Sequence, residues 1–597
     1  MNVKPIIAAG FLIFATVATP LYGQSTDWTG PGSNFFIPDN WTNGVPQQGV
    51  EVGFNLPGPY SVNIFGGAEA GDVNVSGGGE PIFVGTGDVC GLTFSFVDSE
   101  VSWNVDVTAF GDFRVGDQAG IDDSLLRIES DACVEVVGDM LVFGDSDVGV
   151  VGGELSTNNF LNIGTGPNAG SGRFDLQDDA RLETNFVRIG QNASANYTFN
   201  LSGSSSWTSS SLLIVGDLGT GQLNVTESSC VNIDSSVIAA RNPSGRGEIC
   251  ISDFGSEFVA TGGMLIGEDA PSTLEVSNEG FLQVGDDLTI ASGSTATFNA
   301  GTAEMTGDIN VNDSTLLLEN GSSVQVFGVV NIDNGNVTIN SSDLDVDEII
   351  NSGCLMIEGT DVVELENVTN NQDIVIDTDT QMMDLTNDSS ILVSANNCLT
   401  VNGECNATGL FAGPGAVTLL GDVFIGEGNQ PQDFTVEGAL QLKVVSVVHM
   451  RVSFPVSDRI VCNEINIAAN SLPTLELEFN NAADFQNGQE IVLIETDEDF
   501  ANEFINHPEG DTVQVGDFTF TTTYSGGDGN DLALIVSGGS DVLLGDVNQD
   551  GIVDLLDVGP FVEVLSGGGV FQAEADCNED GVVDLLDVGP FVSILAG

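Results

Sequence analysis

Positive charge is what this 597-residue chain has least of: 11 Lys and Arg stand against 88 Asp and Glu, a formal net charge of −77. A surface of that sign repels phosphate backbones and anionic headgroups, which excludes nucleic acid and acidic membranes as partners. Histidine is nearly missing, with only His449 and His507. No C-x-x-C occurs among Cys90, Cys133, Cys230, Cys250, Cys354, Cys398, Cys405, Cys462 and Cys577. A zinc centre therefore lacks its usual ligands, and the scatter does not suit a disulfide scaffold. Cys230 with Cys250, or Cys398 with Cys405, could pair across neighbouring coils, and buried free thiols are the other outcome. Long apolar runs are missing after Pro20, so no membrane insertion is expected. Also missing are G-x-S-x-G, a phosphate loop and H-E-x-x-H.

What remains is not the composition of a disordered acidic chain. Apolar residues make up 41% and mean hydropathy is +0.15, so there is core to bury. The acids are dispersed, as suits solubility in a salty, calcium-containing medium. Residues 1–23 read as an export signal, with Lys4 ahead of an apolar run to Pro20 and cleavage near Gly23. No cysteine follows that would carry a lipid. The mature chain is expected to be secreted, to the medium or the cell surface.

From about Val84 to Ile425, within an expected solenoid of residues 61–430, one phrase keeps returning: two alternating apolar residues, then glycine. Examples are Phe113-Arg114-Val115-Gly116, Leu141-Val142-Phe143-Gly144, Leu161-Asn162-Ile163-Gly164, Val187-Arg188-Ile189-Gly190, Leu213-Ile214-Val215-Gly216, Met264-Leu265-Ile266-Gly267 and Val423-Phe424-Ile425-Gly426. Short alternating runs bounded by Gly, Asn, Asp and Ser are the strand signature. A period of roughly 20 to 28 residues is one coil of a solenoid. The 75 glycines suit its tight corners. The fold class expected is all-β: a right-handed parallel β-solenoid with Val115, Phe143, Ile163, Ile189, Val215 and Ile266 stacked inward. Residues 24–60, with Trp28 and Trp41, read as an N-terminal cap. Residues 431–536 read as a C-terminal β region of longer strands, and 537–543 as a Gly/Ser linker.

Residues 544–597 differ in kind. Asp546, Asn548, Asp550, Gly551, Asp554 and Asp557 recur as Asp576, Asn578, Asp580, Gly581, Asp584 and Asp587, each set followed by Val-Gly-Pro-Phe-Val. Oxygen side chains at loop positions 1, 3, 5, 9 and 12, a carbonyl at position 7 (Ile552, Val582) and glycine at 6 are what Ca²⁺ requires. Two Ca²⁺ ions are expected. Position 12 is Asp rather than Glu, and no helix-like stretch precedes Asp546. This loop-then-helix pair resembles a type I dockerin. The resemblance implies that these side chains ligate the ions and that the tail docks onto a cohesin-like or other extracellular protein. Positions 10 and 11, which in that family help read the partner, are here Leu555, Leu556, Leu585 and Leu586 rather than small polar pairs.

The body, residues 27–536, resembles autotransporter-passenger-like β-solenoid proteins of bacterial surfaces. The likeness rests on the start from Trp28 to Asn40-Trp41-Thr42-Asn43-Gly44-Val45-Pro46 and the close from Tyr524 to Asp531-Leu532-Ala533-Leu534. It implies a structural or adhesive role, with glycans as possible contacts on the solenoid. The alternative is a polysaccharide-active β-helix enzyme, a glycoside hydrolase or lyase held in a complex by its dockerin. Hydrolysis needs two carboxylates at a fixed separation, and Asp122-Asp123, Asp178-Asp179 and Asp286-Asp287 are adjacent pairs. Such pairs arise by chance in so acidic a chain. Arg173, Arg181 and Arg188 form the only cationic cluster of the solenoid. No coil stands out chemically, and no catalytic residue is expected.

Overall fold

The computed structural model describes residues 25–30, 34–117, 123–130, 132–425, 431–443, 446–467, 473–480, 485–538, 543–570, 572–578 and 580–596. The export signal, Asp122, Gly426 and most of the linker fall outside the described residues. Two compact units divide the chain, residues 1–402 and 403–597. The fold is a parallel β-solenoid with very little helix.

In the first unit, short strands stack in parallel, in-register ladders. One runs through Asp147–Val151, Ser171–Gln177, Asn196–Leu201, Thr220–Val225, Arg246–Ser252 and Thr273–Ser277. Because side chains alternate across a strand, every second residue turns inward. Phe174 pairs with Phe199, then Leu223, Ile249 and Leu274, and all are buried. The Phe174 and Phe199 rings stack 4.7 Å apart at 12°. Burial of each such side chain stabilises by about 1.5–3 kcal/mol. Polar outward positions form ladders of their own: Asn200 Nδ2 donates to Asp175 Oδ1 at 2.7 Å, and Asn224 Nδ2 to Asn200 Oδ1 at 2.8 Å.

The recurring phrase makes another ladder. Val115, Val142, Ile163, Ile189, Val215, Ala239 and Ile266 form one inward column. Five of the six expected residues stand in it, but Phe143 does not. Phe143 is buried, yet Val142 holds the column position and the register shifts between the two, so that Phe143 faces Thr165. A bulge of one residue precedes the corner. The glycine ending the phrase takes a left-handed φ, as at Gly216 (+76°), where a Cβ would also lie 2.1 Å from the Arg246 carbonyl of the next coil. Steric room and backbone conformation both select glycine there.

Further along the first unit a polar column enters the interior. Asn351, Asn370 and Asn387 are fully buried and in register. Asn351 Nδ2 donates to Asn370 Oδ1, and Asn370 Nδ2 to Asn387 Oδ1, each at 2.8 Å. Buried amides are tolerated because each satisfies the next. All nine cysteines are free thiols, so neither Cys230–Cys250 nor Cys398–Cys405 is bridged.

Parallel pairing reaches beyond both ends of the 61–430 span. It begins with Ser25–Asp27 on Glu51–Phe54. Trp28 and Trp41 pack edge to face at 5.0 Å and lie against Phe54. In the second unit Val447–Val452 pairs with Thr474–Phe479, and Arg459–Ile467 with Glu490–Thr496, still in parallel. Only then do antiparallel strands take over: Asp531–Gly538 closes on Glu490–Thr496, and Phe518–Gly526 lies between it and Thr512–Val515. Such strands satisfy backbone groups that the last coil would leave open.

Candidate metal site in the C-terminal repeat

Each acidic loop winds itself up with its own carboxylates. Asp546 accepts backbone N–H groups from Asp550 (3.0 Å) and Gly551 (2.8 Å), one on each oxygen. Asp557 likewise accepts from Asn548 (2.9 Å) and Asp554 (2.8 Å). Asn548 Oδ1 takes the Asp550 N–H, Asp550 Oδ1 that of Ile552, and Asp554 Oδ1 that of Leu556. The second loop repeats the set: Asp576 holds Asp580 and Gly581, Asp587 holds Asn578 and Asp584, Asn578 holds Asp580, Asp580 holds Val582, and Asp584 holds Leu586. Gly551 and Gly581 stand at φ +86° and +83°, which the turn requires.

Helix α1 (Val558–Leu565) and helix α2 (Val588–Leu595) start directly after Asp557 and Asp587. Pro560 and Pro590 fall in the first turn, where a missing N–H costs nothing. Phe561 and Phe591 meet in a small core with Val547, Ala575 and Cys577. Burial, with the Asp587 and Asp576 carboxylates nearby, pushes the Cys577 thiol up to about 11.

The loop electrostatics are one-sided. Asp557 and Asp587 are fully buried and Asp546 and Asp576 nearly so, yet residues 544–597 contain no Lys, Arg or His. Backbone N–H groups compensate these charges in part, and burial of an anion without a counter-charge costs several kcal/mol. Each carboxylate oxygen that accepts one N–H retains a further lone pair. The donors are all oxygen, the chemistry a hard divalent cation takes. The residues therefore fit Ca²⁺ by donor type and by unmet charge. Among the described residues no group of three or more His, Cys, Asp or Glu is drawn together as a closed metal-ligand cluster. The Ile552 and Val582 side chains stand exposed.

Apolar exposure is the tail's other feature. Leu555 and Leu556 are 81% and 68% exposed, and Leu585 and Leu586 are 80% and 67%. Val562 and Val592 on the helices are exposed too. Single exposed apolar residues are ordinary, but here a matched set recurs in both repeats.

The other charged candidates are occupied with the fold. Asp178 and Asp179 sit at left-handed φ in a corner, and Asp287 Oδ1 accepts the Asp308 N–H of the next coil at 2.8 Å. Arg173, Arg181 and Arg188 lie 3.7, 3.3 and 3.6 Å from Asp147, Glu154 and Asp217. Arg188 also covers the Phe186 ring at 4.8 Å. One cluster escaped the sequence reading: Phe424, His449, Arg451, Asp458, Glu476 and Glu478, gathered on one outer face of the second unit. Its signal is alternation, since His449 and Arg451, like Glu476 and Glu478, are two apart on a strand. Among the described residues no helix is long and apolar enough to cross a membrane. No family model and no curated protein sequence matches the chain.

Proposed function

We propose that this protein is a secreted, non-catalytic structural or adhesive β-solenoid whose C-terminal tail is a calcium-dependent docking module similar to a type I dockerin. The carrying observation is in the tail: two copies of a loop that buries aspartates without any cationic side chain, each beside exposed leucines. Asp546, Asn548, Asp550, Asp554 and Asp557 would hold one Ca²⁺, with the Ile552 carbonyl; Asp576, Asn578, Asp580, Asp584 and Asp587 the other, with that of Val582. Calcium supplies the missing positive charge and fixes the loops. Leu555, Leu556, Leu585 and Leu586 then present a fixed apolar face to an extracellular partner.

Support for the non-catalytic reading of the body is that Asp178 and Asp179 make a corner and that Arg173, Arg181 and Arg188 pair with acids of neighbouring coils. The long ladders offer a rigid display of polar side chains to cell-surface components such as glycans. The test has two parts. Immobilised full-length protein should retain a partner from its own secretome in calcium and release it in chelator; if nothing is retained, the docking role falls. Incubation with a polysaccharide panel should leave reducing ends and unsaturated products unchanged, and turnover that one carboxylate substitution abolishes would establish an enzyme instead.

A further inference from the structure

A groove of about 340 Å³ opens on the outer face of three neighbouring parallel strands of the second unit, Asp422–Ile425, Val447–Val452 and Thr474–Phe479. Register brings three unlike side chains into line there: Phe424 pairs with His449, and His449 with Glu476. The Phe424 and His449 rings stack 4.3 Å apart at 6°. Glu476 Oε2 lies 3.2 Å from His449 Nδ1. His449 Nε2 is closed off from solvent, so the imidazole meets the groove with its ring and not with that nitrogen.

Two residues further along the same strands, Arg451 faces Glu478 in register. The guanidinium is not a free charge. Its Nε donates to Asp458 Oδ2 at 2.9 Å, and its Nη2 to Asp458 Oδ1 at 3.0 Å and to the Ile425 carbonyl at 2.6 Å. With side chains only 12% and 1% exposed, Arg451 and Asp458 form a neutral, fixed floor. Glu476 and Glu478 stand exposed at the rim. The groove thus joins ring surface, a rigid polar floor and two carboxylates that accept hydroxyl or ammonium protons. A uronate or a sulfate would meet like charge from both rim glutamates.

We propose that this groove is a saccharide subsite for a non-anionic sugar, neutral or amine-bearing, in which hydroxyl or ammonium protons go to Glu476 and Glu478 while the sugar's apolar face lies against the Phe424 and His449 rings. The assignment rests on the adhesive reading above and gives it a location. It also explains a local concentration of aromatic, imidazole and carboxylate groups that strand packing alone does not need on an outer face.

Calorimetry on the full chain tests it with four hexasaccharides: glucose and N-acetylglucosamine oligomers (neutral), a glucosamine oligomer (amine-bearing) and a galacturonate oligomer (anionic). At least one non-anionic oligomer should bind at one site per chain and the galacturonate should not. His449→Ala and Glu476→Gln should each weaken binding by about tenfold or more, the first by removing ring surface under the sugar and the second by loss of one hydrogen bond to a charged group. Glu478→Gln should weaken the glucosamine oligomer far more than the neutral ones; because Glu478 is exposed, this variant keeps the fold. Saccharide binding that none of the three changes overturns the subsite and leaves the adhesive reading standing. So does failure of every oligomer to bind while the protein still adheres to native cell surfaces. Loss of both binding and adhesion overturns both.

Discussion

Phe561 and Phe591, at the same place in their two short helices, stack face to face at 3.9 Å with ring planes inclined by 1°. That contact ties the two acidic loops into one body, because each helix begins at the last aspartate of its loop. A cation held in one loop would therefore steady the helix that supports the other.

Calcium titration of the full chain should show two sites contributed by the tail. Changing Asp550→Ala and Asp580→Ala together should remove both, since each withdraws a position-5 ligand. Stoichiometry that survives the double change would overturn the ligand assignment. Affinity should fall as pH is lowered, because ligand carboxylates must be deprotonated to hold the ion. Phe561→Ala should destabilise the tail by about 3–5 kcal/mol and weaken calcium binding at both sites, readable by calorimetry and tail-specific proteolysis.

A pair of glycine substitutions separates corner demands from mere sequence habit. Gly216→Ala should destabilise the first unit by about 1–3 kcal/mol, as φ +76° and the Arg246 carbonyl both oppose a Cβ. Gly149, with open space around it, faces outward in mid-strand. Gly149→Ala should be neutral or slightly stabilising. Equal effects in chemical denaturation would refute the corner argument.

The buried asparagine column makes a sharper demand. Asn370→Ala removes a donor and an acceptor at once, leaving Asn351 Nδ2 without that acceptor and Asn387 Oδ1 without that donor. A loss of about 1–3 kcal/mol is expected. Asn370→Leu should do no better, because its neighbours in the column would still face an apolar group. A variant as stable as the parent would show that the column is not held by its own hydrogen bonds.

Alkaline pH should loosen the fold through the thiols. Burial raises Cys405 and Cys462 to about 12, and Cys133 to about 11, from an ordinary 9.0. Each folded thiol keeps its proton where the unfolded one has lost it. The stability this contributes is fully present below pH 9 and is lost as pH climbs toward the folded values. Denaturation midpoints should drop between pH 9 and 12, and Cys405 should resist alkylation at pH 8 until the chain is unfolded.

Much of the solenoid was legible because its grammar is local. Alternation decides which face of a strand is apolar, and a glycine after it decides where the chain turns. That sufficed to place Val115, Ile163, Ile189, Val215 and Ile266 in one column. It failed at Phe143, since counting back from Gly144 cannot see a bulge, which exists only relative to the neighbouring strand. The limits of the parallel stack were equally invisible: whether Ser25–Asp27 or Glu490–Thr496 pairs in parallel depends on a partner far along the chain.

In the tail, the spacing of aspartates, asparagines and glycines by itself determined two turns that fold oxygens inward, because φ and donor geometry are fixed within a dozen residues. Only tertiary structure decided that Asp557 and Asp587 are fully buried while Leu555, Leu556, Leu585 and Leu586 stay in solvent. The stacking of the two helices, not the apolar character of a residue, determines which side chains find cover. The same holds for the His449 groove: its rings, arginine and glutamates come from three strands and Asp458 from a connecting loop, so no short window along the chain contains them all. Register, set by hydrogen bonding between coils, brought them to one face.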